Sequence, residues 1–221
     1  MRSTGWSDRW LIPRVENISY WAVGRQVNLQ PCQWVKRSLK KRRGVLKTRK
    51  LVGVIGTGNE EALAIRLAEE VGLELARRGV SLVCGGLGGV MGAASCGLRR
   101  GRAEFGGDSL AVGLLPGDSP ENANPCLDLV LPTGLGIGRN LLIVRAAQAV
   151  IAISGGSGTL SEMAFAWQLG KPIIALVPSG GVSEKHAGLV LDNRRETPVI
   201  PAYTGEEAVE LALQEMGVNC G

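Results

Sequence analysis

Leu51-Val52-Gly53-Val54-Ile55-Gly56-Thr57-Gly58 is the stretch that decides the fold. A short, β-branched apolar run that halts at a glycine turn reads as a strand, its continuous apolarity pointing to burial on both faces. From Glu60 to Arg78 the apolar residues Leu63, Leu67, Val71 and Leu75 recur at helical spacing, and Gly79 supplies a stop. The cycle then repeats. Residues 80–84 read as a strand, Gly85-Gly86-Leu87-Gly88-Gly89 as a turn and 90–100 as a small-residue helix. Strands follow at 110–115 and 127–131, a helix at 139–148 and a strand at 149–153. After the turn 155–158 come a helix at 159–169 and a strand at 172–177. A last strand at 197–201 precedes a helix at 205–216. Continuous apolar strands alternating with helices imply a parallel sheet covered on both faces. The expected fold of residues 50–221 is therefore a doubly wound, Rossmann-like α/β domain.

The first 49 residues are a different object. Of the 25 Lys and Arg in the chain, residues 1–50 hold 13, against two acids, Asp8 and Glu16, a balance of +11. The remainder holds 12 basic and 18 acidic residues, a balance of −6. The net charge of +5 and the pI near 9.1 average these two halves, so they do not by themselves point to nucleic acid. Four of the five tryptophans also lie in this segment, which shows no periodicity and ends in the basic run Lys36-Arg37-Ser38-Leu39-Lys40-Lys41-Arg42-Arg43. Three readings stand: a start assigned too early, with the native one near Val45 or Leu46; a disordered solvated tail; or an arm for phosphate backbones.

Other classes are excluded on composition and spacing. The five cysteines form no C-x-x-C pair, and His186 alone cannot complete a zinc set, so no metal site is expected. An odd cysteine count without a secretory h-region reads as reduced thiols in the cytoplasm. No run reaches the roughly 18 apolar residues of a membrane span.

Thirty-two glycines far exceed average usage of roughly 7%. They cluster at strand ends: Gly56 and Gly58, Gly85 to Gly92, Gly134 to Gly138, and Gly155 to Gly158. Ligands of open α/β sheets sit beyond the carboxyl ends of the strands, where strand order reverses. A missing Cβ admits a ligand close to the backbone, and N–H groups at a helix start attract anions. One such turn is ordinary βα chemistry; four favour a phosphate-bearing ligand. The first turn is not a dinucleotide fingerprint, because Glu61 stands where its third glycine belongs and would repel a pyrophosphate. Gly170-Lys171 is followed by Pro172, so there is no phosphate-binding P-loop. No nucleophile elbow with a usable base appears either, since His186 falls in an irregular, exposed loop.

Three features remain: Gly85-Gly86-Leu87-Gly88-Gly89-Val90-Met91-Gly92, Pro132-Thr133-Gly134-Leu135-Gly136-Ile137-Gly138-Arg139-Asn140, and Ser154-Gly155-Gly156-Ser157-Gly158-Thr159-Leu160-Ser161-Glu162. In this order on these strand ends, over roughly residues 50–216, they resemble the "lonely guy"-like superfamily, long labelled "possible lysine decarboxylase". The nearest resemblance is to its branch of molybdenum-cofactor carrier proteins. The resemblance implies binding of a phosphorylated, nucleotide-like ligand: molybdenum cofactor in a carrier, or a nucleoside 5′-monophosphate in a phosphoribohydrolase that releases free base and ribose 5-phosphate. It also implies a homo-oligomer, dimer or tetramer, with helices 139–148 and 159–169 available as contacts, and no cofactor required for catalysis. Gly155, Gly156, Gly158 and Thr159 would hold the phosphate, and in a hydrolase Arg139 and Glu162 would be the catalytic pair.

With the other turns, the nominated ligand residues are Gly56, Thr57 and Gly58; Gly86, Gly88, Gly89, Met91 and Gly92; Thr133, Gly134, Arg139 and Asn140; and Gly155, Gly156, Ser157, Gly158, Thr159 and Glu162. Two departures favour the carrier: the hydrolases usually have Pro where this chain has Ser154, and Lys after the Arg where it has Asn140. Local readings stand beside these. Glu162 could close a capping box with Thr159, Thr133 could be turn chemistry, Met91 and Trp167 could face the core, and Cys84 could line the pocket. Lysine decarboxylation is excluded, because neither Lys171 nor Lys185 sits in a Schiff-base setting.

Overall fold

The computed structural model describes residues 19–22, 25–28 and 49–217. The chain divides into two units, Met1–Thr48 and Arg49–Gly221. In the first, β1 (Ser19–Ala22) and β2 (Arg25–Asn28) pair antiparallel, Ser19 opposite Asn28 and Ala22 opposite Arg25. This hairpin has no counterpart among the expectations, since four-residue strands are too short for alternation to register. The rest of the expected extension, including a start near Val45, lies outside the described residues.

The second unit holds seven parallel strands: β3 (Leu51–Gly56), β4 (Ser81–Cys84), β5 (Ala111–Leu115), β6 (Leu129–Pro132), β7 (Ala149–Ile153), β8 (Ile173–Leu176) and β9 (Ile200–Ala202). Their order is β6-β5-β4-β3-β7-β8-β9. The chain winds outward from β3 to one edge, then returns to β7 on the other side of β3, so strand order reverses between β3 and β7. Their register runs from Val52 beside Ala149 to Gly56 beside Ile153. Both edge strands carry proline, Pro132 in β6 and Pro201 in β9, where a missing N–H is tolerated.

Among the described residues five α-helices lie between strands, α1 (Ala62–Arg77), α2 (Gly89–Phe105), α3 (Asn140–Ala146), α4 (Ser157–Gln168) and α5 (Gly181–His186), and α6 (Gly205–Glu215) follows β9. α1, α2 and α6 pack on one face with Val52, Val54, Ile151 and Ile153. α3 and α4 pack on the other with Ile55, Val150 and Ala152. Alternate residues of β3 and β7 thus enter different cores, which is why these strands read as continuous apolar runs. The doubly wound α/β expectation holds.

α2 extends five residues beyond the expected helix, across Gly101, and Gly97 lies within it. These glycines are a packing surface rather than a stop: a Cβ on Gly97 would lie 2.1 Å from the Glu69 carbonyl oxygen, and one on Gly72 would lie 2.0 Å from that of Ala94. The backbones of α1 and α2 touch there. α5 corrects the expectation of an irregular, exposed loop at His186. His186 ends a six-residue helix and is half-buried, with Nδ1 2.8 Å from the Val182 carbonyl. The preceding glycines Gly180 and Gly181 had hidden that turn.

The thiol expectation is also corrected. Cys96 of α2 and Cys126, 30 residues later, form a disulfide with Cα atoms 5.0 Å apart. The loop entering β6 folds back over α2, a proximity that linear spacing does not reveal. Cys84 is a free thiol, wholly buried. Among the described residues no helix is long and apolar enough to cross a membrane.

Candidate functional site

A cavity of about 380 Å³ opens at the carboxyl ends of β3 and β7, where strand order reverses. Its floor is Val54, Ile55 and Gly56. A Cβ on Gly56 would lie 2.2 Å from the Ile153 carbonyl oxygen, so only glycine fits at this strand end. Thr57, Gly58 and Asn59 form one wall. The Thr57 hydroxyl accepts the Asn59 N–H at 3.0 Å, and the Thr57 carbonyl accepts the Val90 N–H at 3.0 Å, tying this turn to the start of α2.

The opposite wall is the N-terminus of α4, with Gly156 at the N-cap followed by Ser157, Gly158 and Thr159. No side chain caps this end, so its first-turn N–H groups have neither an intrahelical nor a capping partner. The capping-box alternative for Glu162 is therefore not what forms. Glu162 instead turns its carboxylate into the cavity, where it is 3.4 Å from Arg139 Nη1.

Arg139 ends the 3₁₀ turn Gly136–Arg139 that leads into α3. It is 91% buried, its relative exposure being 9%. Nη1 also donates to the Asn140 side-chain oxygen, and Nη2 reaches the Gly85 carbonyl at 3.5 Å. Nε is buried and has no partner. Asn140 couples this turn to α4, donating to the Ser161 hydroxyl at 2.9 Å and the Gly158 carbonyl at 3.4 Å.

Electrostatics give the pair its character. Burial lifts the Glu162 carboxyl to about 7, and the opposing attraction of Arg139 only partly offsets it. Near neutral pH the carboxyl is thus half-protonated, and Arg139 is not fully neutralised. A guanidinium with a free buried N–H and an uncapped helix N-terminus, lining one cavity, are donor types that attract anions.

Of the nominated residues, the cavity brings together Gly56, Thr57, Gly58, Met91, Arg139, Asn140, Gly156, Ser157, Gly158, Thr159 and Glu162. It does not include Gly86, Gly88, Gly89, Gly92, Thr133, Gly134 or Gly155. Gly89, at φ +60°, lies against the first turn, where a Cβ would come 2.5 Å from the Thr57 carbonyl oxygen. Thr133 is turn chemistry, donating to the Leu115 carbonyl at 2.7 Å and accepting the Leu135 N–H. Gly155 packs under Thr159. Cys84 lies beneath the glycine turn, 3.4 Å from the Gly86 nitrogen, rather than in the cavity. Met91 is both core and lining, and Trp167 is core, bonded to Asp192.

Sequence reasoning missed Asn59, Gly85 and Ile137. Asn59 directly follows the Gly-Thr-Gly turn and was accessible to motif reading. Gly85 matters because Arg139 arrives over it from 54 residues away. Ile137, 90% exposed at the cavity rim, lies within the second motif but has no side-chain chemistry to mark it.

Comparison with known proteins shows the family. A model of the SLOG cluster4 family, part of the lonely-guy-like superfamily, matches residues 49–209, and the chain belongs to that family. An uncharacterized protein of Archaeoglobus fulgidus is 39% identical over 127 residues, 58% of this chain and 80% of that protein. Among solved structures, TM1055 is 35% identical with a TM-score of 0.66, covering 75% of this chain and 99% of its own. The molybdenum cofactor binding protein of Rippkaea orientalis is 30% identical with a TM-score of 0.66, over 76% of this chain and 98% of its own. The molybdenum cofactor carrier protein of Chlamydomonas reinhardtii is 28% identical with a TM-score of 0.61, over 76% and 99%. DNA processing protein A of Helicobacter pylori, at 18% identity and a TM-score of 0.56, shares the fold alone.

Proposed function

We propose that this SLOG-family chain binds molybdenum cofactor as a carrier or storage protein, holding its phosphate at the N-terminus of α4. The observation that carries this reading is the buried Arg139, whose Nε has no partner, in a cavity that the uncapped first turn of α4 also lines. The phosphate oxygens would accept from the Gly158 and Thr159 N–H groups and from the guanidinium. Met91 and Val54 would give an organic ring apolar contact, and Ile137 would cover it from the rim. A cavity of about 380 Å³ is of the size that encloses one small ligand. Likeness to two proteins named for binding or carrying molybdenum cofactor adds support for this ligand over other phosphate esters.

The carrier reading is preferred to the phosphoribohydrolase because Ser154 and Asn140 stand where the hydrolases usually have Pro and Lys, although the pair a hydrolase would use, Arg139 and Glu162, lines the cavity. The same lining still accommodates a nucleoside monophosphate, so one experiment separates the two. Purified full-length protein is incubated with molybdenum cofactor, and separately with AMP. Retention of pterin fluorescence through gel filtration, with AMP left intact, is the expected result. Release of adenine that vanishes in Glu162→Gln would establish the hydrolase instead.

A homo-oligomer is part of this proposal. The apolar side chains Leu129 and Leu131 on edge strand β6, with Leu135, Ile137 and Leu142 nearby in sequence, stand 40–90% exposed, more than a monomer ordinarily leaves uncovered. Analytical ultracentrifugation should give at least a dimer, and a monomer at micromolar concentration would refute this part.

A further inference from the structure

The loop of residues 116–128, between β5 and β6, fastens both turns that position Arg139. At its start the Pro116 and Gly117 carbonyls accept the Gly136 and Gly134 N–H groups, each at 2.9 Å, in the turn that leads to Arg139. Near its end the Asn124 N–H donates to the Gly86 carbonyl at 2.9 Å, and the Asn124 side-chain nitrogen donates to the Leu87 carbonyl at 3.2 Å. Gly86 and Leu87 follow Gly85, whose carbonyl lies 3.5 Å from Arg139 Nη2.

Asn124 is held in turn by Cys126, whose N–H donates to the Asn124 side-chain oxygen at 3.2 Å. That bond leaves the side-chain nitrogen for Leu87. Cys126 is joined by its disulfide to Cys96 of α2. Residues 118–125 contain no helix or strand. Their hydrogen bonds that leave the loop, among the described residues, are the two from Asn124 and one from Arg99 Nη1 to the Pro125 carbonyl, at 3.2 Å. A segment with so few bonds opens at little cost once its covalent tie is cut. Both cysteines are half-buried, within reach of a small reagent at the surface. Arg99, three residues beyond Cys96, brings its guanidinium to the carbonyl of the residue before Cys126. A cation there favours the thiolate that leaves when a disulfide opens.

We propose that Cys96–Cys126 is a reversible dithiol–disulfide site whose state sets how firmly Arg139 holds its anion. This rests on the reading of Arg139 and α4 as the phosphate site. A thiolate of a dithiol reductant attacks one sulfur of the disulfide, forming a mixed disulfide and releasing the other cysteine as a thiolate, which takes up a proton. The reductant's second thiolate then attacks the mixed disulfide and releases the remaining cysteine. Two electrons and two protons pass to the protein, and the reductant ends as a disulfide. Asn124 then leaves Gly86 and Leu87, the turn beneath Arg139 loosens, and the anion dissociates more readily. Exchange with a small-molecule disulfide runs the same steps backwards and restores the hold.

The test uses the full chain, oxidised or fully reduced with dithiothreitol, and two readouts. Hydrogen exchange without ligand should show the Asn124 and Cys126 amides exchanging at least tenfold faster after reduction, with the strands of the sheet unchanged. Calorimetry should show AMP binding about fivefold more weakly to the reduced protein, roughly the worth of one hydrogen bond. Reoxidation with oxidised glutathione should restore both. The double variant Cys96→Ser, Cys126→Ser should bind like the reduced protein and ignore dithiothreitol. Asn124→Ala keeps the disulfide but removes the side-chain link; it should bind AMP more weakly and lose most of its response to reduction. Unchanged exchange at Asn124, or equal AMP affinity of the two redox forms, overturns the inference and leaves the phosphate site standing. So does a response to dithiothreitol that persists in the double variant. Loss of the circular dichroism of the fold on reduction overturns it too, because the disulfide would then hold the domain rather than the loop. If AMP binds neither form, the phosphate site itself fails and the inference falls with it.

Discussion

Replacing Glu162 by glutamine should change how stability depends on pH. The carboxyl ionises near 4.5 in an unfolded chain and at about 7 in the fold, because burial penalises the charged form more than Arg139, 3.4 Å away, rewards it. The sign follows from proton linkage. Between pH 4.5 and 7 the folded state holds a proton that the unfolded state has lost, so stability falls as pH rises through this window. Below 4.5 the contribution is fully present, and above about 7 it is gone. The gap between the two ionisations corresponds to about 3 kcal/mol. Urea unfolding at pH 5, 6, 7 and 8 would measure it, taking the midpoint at constant m value. Wild type should lose about 2–3 kcal/mol more than Glu162→Gln between pH 5 and pH 8. At pH 8 the variant should be the more stable protein, less whatever the lost contact with Arg139 contributes. The same proton governs the ligand: as pH falls from 8 to 6, neutralising Glu162 frees Arg139 for a phosphate, so AMP should bind more tightly in wild type and not in the variant. Parallel stability curves for the two proteins would refute the claim that Glu162 is a buried, high-ionising carboxyl.

Other consequences are open to measurement. Gly85→Ala would place a Cβ 2.3 Å from Arg139 Nη2 and 2.7 Å from Met91 Sδ; displacing the guanidinium should weaken AMP binding about tenfold by calorimetry, roughly the worth of one charge-assisted hydrogen bond. Gly97→Ala would drive a Cβ to 2.1 Å from the Glu69 carbonyl oxygen, forcing α1 and α2 apart, and chemical denaturation should show a loss of about 1–3 kcal/mol or more. The Cys96–Cys126 disulfide closes a 30-residue separation, so Cys96→Ser should cost about 3.6 kcal/mol by the chain-entropy estimate, read as a lower thermal midpoint under non-reducing conditions. Intact mass before and after alkylation in denaturant without reductant should show two protected cysteines.

What the sequence made legible, and what it hid, divides along a physical line. Strands buried on both faces cannot disguise themselves, so β3, β4, β7 and β8 appear as apolar runs within a residue or so of their true bounds. The glycine turns were legible because a missing Cβ at a strand end has few other uses. Features that depend on distant residues meeting were not. Gly85 could not be separated from Gly86 or Gly88 until Arg139 lay over it. Ser154 and Glu61 each looked like a lapse in a motif until the sheet set them side by side, hydroxyl to carboxylate. Cys96 and Cys126 looked like scattered thiols because the loop of residues 116–128 carries no periodic pattern that fixes its path. Gly180 and Gly181 concealed α5, since two glycines in a row argue locally against a helix that tertiary packing then imposes.

The central claim, that a phosphate docks between α4 and Arg139, is tested most directly by native mass spectrometry of the full chain incubated with molybdenum cofactor, beside Arg139→Ala. Wild type should retain one cofactor per chain, and Arg139→Ala should lose most of it while remaining folded by circular dichroism. Equal retention by both proteins, or none by wild type, would contradict the account.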